Sequence, residues 1–187
     1  MEYNIKAILD GLKQRISTND ELIIQTPGGN IEMAKFYFSP PAETEEIDRL
    51  STLFQVNLPQ EYREFLLQHN GAKLFDIGFG ECTDIYSINE IVETAELMPD
   101  IVPNFIPVAR HPSCTIFIDT SREKKYMFSQ AGGSEFNFLA MSFKEWIETL
   151  ILSSGNYFEE RIPQLLFKTI DDSELKIKKW LIEGYKL

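Results

Sequence analysis

The segment Leu58–Gly71, LPQEYREFLLQHNG, constrains the fold most, because both of its ends are specified. Pro59 suits the first helical position, where a missing N–H costs nothing. Gln60 and Glu61 follow in the first turn, and Tyr62, Phe65, Leu66 and His69 share one stripe. Asn70-Gly71 supplies a left-handed exit. A short helix with a stop at each end must be held by neighbours, so the stripe is expected in a core.

The flanking segments supply those neighbours. Ile5, Ile8, Leu9, Leu12 and Ile16 recur at helical spacing, predicting a helix over Tyr3 to Ile16. Pro27-Gly28-Gly29-Asn30 is a turn signal between the extended runs Leu22–Gln25 and Ile31–Phe38, which predicts a hairpin. Thr44 is a candidate N-cap for a helix carrying Ile47, Leu50 and Phe54. After a glycine-interrupted extended stretch, Ser87 and Glu90 form a capping box ahead of Ile88, Ile91, Val92 and Ala95. Phe105–Ala109, Thr115–Asp119 and Lys125–Phe128 predict three strands of an antiparallel meander. Ser142 and Glu145 form a second capping box before Phe143, Trp146, Ile147, Leu150 and Ile151. A Lys-rich helix is expected from Asp171-Asp172-Ser173 onward. Helices flanking a central run of strands give an α+β class, with a mainly antiparallel sheet. The 187 residues fit one domain, and no linker divides them.

Motifs for chemistry are sparse. His111 and Cys114 lie close together in ARHPSC, expected as a loop between strands. Three residues of loop do not make a nucleophile–base dyad, and no oxyanion pattern accompanies them. Asp119, at a strand end, can serve a site or cap its own turn. Gly78 and Gly80 in GFGE fit a ligand loop or strand bends. Cys82 and Cys114 match no metal spacing and are expected as reduced thiols, and no calcium-loop pattern occurs. The expectation is therefore no catalytic residue, no metal and no cofactor. No apolar run reaches the ~20 residues of a membrane span, and the N-terminus lacks signal-peptide character, so a cytoplasmic protein is expected.

Charge is more informative. The net charge is −11, and residues 41–100 hold 13 acids against 3 bases. Direct nucleic-acid binding is disfavoured, because phosphates need a basic surface. A basic protein partner suits such a chain, although acidity also serves solubility. On the Ser87 helix Glu90, Glu93 and Glu96 recur every third residue, and no Lys or Arg occurs between Lys73 and Arg110. Like charges at that spacing cost about 0.2–0.5 kcal/mol each. With Asp84 and Asp100 flanking them, these acids are the candidate partner-binding residues.

Taken in order, LPQEYREFLLQHNG, YSINEIVE, FIPVARHPSCTIFIDTS and SFKEWIETLI resemble the SUKH superfamily. That superfamily includes fungal cell-wall-assembly regulators and bacterial immunity proteins. The resemblance covers about residues 42–152 of a single domain spanning 1–187, with 1–39 and 153–187 as extensions. The ARHPSCTIFID loop departs from the glycine- and acid-rich form usual before that strand. The resemblance implies an α+β domain with no catalytic role. Its implied function is to bind and neutralise a cognate toxin, often a nuclease, or else to act as a regulatory adaptor without a toxin.

Overall fold

The computed structural model describes residues 4–16, 18–98, 102–132 and 135–156. Its eight strands pair only with their sequence neighbours, β1 to β8, and every pairing is antiparallel. They are β1 (Glu21–Gln25), β2 (Ile31–Phe38), β3 (Ala72–Asp76), β4 (Thr83–Ile85), β5 (Phe105–His111), β6 (Cys114–Asp119), β7 (Met127–Gln130) and β8 (Asn137–Phe138). Among the described residues five α-helices accompany them: α1 (Ile5–Arg15), α2 (Thr44–Phe54), α3 (Gln60–Leu66), α4 (Ile88–Glu96) and α5 (Phe143–Leu152). The fold is α+β, as expected. The helix expected after Asp171 lies outside the described residues.

α1, α3 and α5 pack against one another. Their buried stripes meet through aromatic rings: Tyr62 and Phe65 of α3 lie 4.9 and 5.4 Å from Phe143 of α5, both edge-on. Phe38 of β2 meets His69 at 4.9 Å and Lys13 of α1 at 4.9 Å, so this face of β2 turns toward the helices. Ala34 and Phe36 lie on it and are buried, as are Leu74, Ile85, Ile116 and Ile118 farther across the sheet. The opposite face bears Ile23, Ile31, Met33 and Tyr37 on the β1–β2 hairpin, all exposed.

The two caps at Ser87 and Ser142 form as expected, each with the Glu three residues on bonding back to the cap N–H. Two other helix starts differ. α2 is capped by Glu43 rather than Thr44: the Glu46 carboxylate accepts the Glu43 N–H at 2.9 Å, and Thr44 is already helical. Pro59 sits one step outside α3, with extended ψ, and its carbonyl accepts from the N–H groups of Tyr62 and Arg63. The left-handed exit holds at Gly71 (φ +97°). A Cβ there would lie 2.9 Å from the Ser87 nitrogen, so the glycine also lets the chain pass against the start of α4.

A carboxylate ties α3 to α5. Glu61 accepts from the Tyr126 hydroxyl at 2.8 Å and from the Lys144 N–H at 3.1 Å, in the first turn of α5. Burial, with the Glu61 carboxylate beside it, pushes the Tyr126 hydroxyl above its ordinary pKa.

Candidate functional site

The chemistry-bearing residues resolve into structural roles. His111 is not in a loop. It ends β5, opposite Cys114 of β6, and is only 2% exposed. Its Nδ1 lies 2.7 Å from the Thr83 hydroxyl, and burial lowers its pKa to about 4. A neutral imidazole so enclosed cannot meet a substrate in this conformation. Asp119 caps its own turn, accepting from the Ser121 N–H at 3.0 Å and from Arg122 Nε at 3.0 Å. Gly78 and Gly80 shape the β3–β4 turn, closed by the Gly78 N–H on the Asp76 carboxylate at 2.9 Å. Cys82 is a buried free thiol. Burial raises the pKa of Cys82, which opposes nucleophilic use. Among the described residues no cluster of three or more potential metal ligands occurs.

The candidate acids do not form one patch. Asp84 is on β4, in a polar row that crosses the outer sheet face through paired positions: Tyr37, Lys73, Asp84, Arg110, Thr115 and Gln130. Asp84 thus lies between two cations, with Arg110 Nη2 at 3.7 Å. Its pKa is raised, chiefly by burial and further by Glu90, against the opposing pull of Lys73 and Arg110. Glu90 faces the same side. It shares a cleft of about 380 Å³ with Asp84, Lys73 and Tyr37, and its carboxylate is held by the Ser87 N–H at 2.7 Å and hydroxyl at 2.6 Å.

Glu93 and Glu96 are exposed and do not line that cleft. They lie one helical turn beyond Asn89 and Val92, which line a second cleft of about 740 Å³ between α4 and α2. Its apolar lining comes from Leu50, Leu53, Ile88 and Val92, with Leu53 61% exposed. Its α2 wall carries Glu45, Glu46 and Asp48, with Arg49 as the lining's one basic residue. Asp48 is braced by Arg63 at 2.7 Å. Asp100 lies outside the described residues. The α2 acids Glu45, Glu46 and Asp48 were not among the candidates that the sequence pointed to. The excess of acids over residues 41–100 was the available signal, since it spans α2 as well as α4.

Among the described residues no helix is long and apolar enough to cross a membrane. Comparison with known proteins gives a consistent result. The chain is 30% identical over 141 residues to the uncharacterized protein YnaB of Bacillus subtilis (strain 168), a match covering 72% of this chain and 94% of that protein. It is 27% identical over 164 residues to the uncharacterized protein YobM of the same organism, covering 80% of this chain and 88% of the relative. The model of the SMI1 / KNR4 family (SUKH-1) matches residues 41–149, which run from just before α2 into α5. With more than half its length matched, from the acidic α2 through α3 to the capped α5, the chain belongs to the SMI1 / KNR4 family (SUKH-1).

Proposed function

We propose that this chain is an immunity protein, which binds a cognate toxin domain and neutralises it by protein–protein contact rather than catalysis. The observation that carries the reading is the α2–α4 cleft, where the apolar Leu50, Leu53, Ile88 and Val92 lie beside the acidic Glu45, Glu46 and Asp48 of α2. A basic segment with apolar side chains complements it on both counts: contact with the apolar residues removes apolar surface from water, and the acids supply steering and register. A nuclease domain has such a surface, because it must bind phosphates. The inhibitor works in the cytoplasm, before the toxin reaches its target. Membership of the SUKH-1 family supports the reading.

The direct test is co-expression with each gene adjacent to this one, scored for a product that arrests growth. Growth arrested by such a product should resume when this chain is present, and no growth-arresting neighbour at all contradicts the proposal. Arrest that persists despite soluble expression of both proteins contradicts the proposal. Rescue should be lost when Leu53 and Val92, in the cleft, are both changed to Asp.

A further inference from the structure

A different surface carries an inference independent of the toxin reading. The outer face of the β1–β2 hairpin exposes Ile23 (65%), Ile31 (65%), Met33 (49%) and Tyr37 (53%). Pairing joins them: Ile23 is opposite Met33, and Ile31 is opposite Gln25. Isolated exposed apolar side chains are ordinary, but a contiguous set rimmed by polar groups marks an interaction surface. The α2–α4 cleft lies elsewhere and the Asp84–Glu90 cleft meets this patch only at Tyr37, while between β1 and β2 Glu21 faces Lys35, 3.9 Å apart. A face with one charge of each sign gives no preference to a basic partner.

It does fit itself. We propose that two copies of this chain associate through the outer faces of their β1–β2 hairpins, about a two-fold axis running along the strands between β1 and β2. Such an axis lays β1 of each copy over β2 of the other, at the same height along the strand. Ile23 then meets Met33 of the second copy, and Gln25 meets its Ile31. Glu21 and Lys35 meet the second copy's Lys35 and Glu21, so both new charge pairs are opposite in sign. The interface is isologous and closes on itself, so it forms dimers and not chains. Aligned stacking of two sheets at about 10 Å separation is an ordinary geometry. A two-stranded face is smaller than the roughly 800 Å² per partner of a standard interface, so the dimer is expected to be weak and concentration-dependent.

Sedimentation equilibrium of the full chain over a range up to about 500 µM tests this. The apparent mass should rise toward twice the monomer mass, and Met33→Glu should weaken association at least about tenfold. A chain that stays monomeric throughout, or a dimer that Met33→Glu leaves unchanged, overturns the proposal. The axis has its own test. Glu21→Lys and Lys35→Glu should each weaken self-association, because each sets like charges together. Mixed in equal amounts, the two variants should form a heterodimer, because opposite charges are then restored across the interface. Failure of the mixture to associate beyond either variant alone overturns the placement of the axis. Thermal melts of each variant check that the fold is intact.

Discussion

His111 must stay uncharged in the fold, which makes it a source of acid sensitivity. Its pKa falls from the ordinary 6.5 to about 4 on burial, so between these values the unfolded chain binds more protons than the native one. Stability is therefore full above about pH 6.5, declines as pH falls, and levels off below about 4, with a loss of up to about 3 kcal/mol. Denaturant midpoints measured from pH 7 to 4 should show this slope, reduced in His111→Asn. An equal slope in the variant would mean that His111 is not buried in the neutral form. His69 adds to the same decline: burial lowers its pKa, and Lys13 Nζ lies 2.6 Å from its Nε2. The extended backbone of His111 was readable in principle, because a residue before proline is driven to that conformation. Pro112-Ser113 suggested a loop, whereas the ladder runs to the His111–Cys114 pair and turns in only two residues.

At the scale of elements, the best-punctuated segments were the most legible. The capping boxes at Ser87 and Ser142 and the turn at Pro27–Gly29 are written in local residues, so they needed no tertiary information. β8 was not legible, because two residues cannot show a period and their pairing with β7 is set by the sheet. α3 stands between these cases. Its seven helical residues are too few for an isolated helix, so it depends on the buried Tyr62, Phe65 and Leu66 and on its exit at Gly71. Gly71→Ala should destabilise the fold by more than about 1 kcal/mol, since alanine there meets both a positive φ and the backbone of Ser87. Gly11→Ala, mid-helix with nothing within 4 Å of the added carbon, should be neutral or stabilising in the same thermal melts. Equal midpoints for Gly71→Ala and wild type would contradict the close approach of α3's exit to α4.

Across the whole molecule the decisive property is where charge lies. The sequence located the acid-rich third of the chain but could not divide it, because the helical period alone does not say which neighbour each flank of α4 faces. The fold sends Glu90 to the sheet side, beside Asp84, while helical geometry puts Glu93 and Glu96 one turn beyond Asn89 and Val92 of the α2–α4 cleft. Asp84 lies between Lys73 and Arg110, and Glu90 is held by Ser87, so both acids serve the fold first. Glu93 and Glu96 do not cap the helix start, so reversing their charge should leave stability nearly unchanged. Their effect should fall on encounter with a basic partner, since rim charges act through association rate and are screened over about 8 Å at physiological salt. The measurement is the association rate of the toxin identified by co-expression with wild type and with Glu93→Lys/Glu96→Lys, by surface plasmon resonance at low and physiological ionic strength. The variant should associate roughly tenfold more slowly at low salt, with the gap narrowing as salt rises. Equal rates at low salt would contradict docking at the α2–α4 cleft.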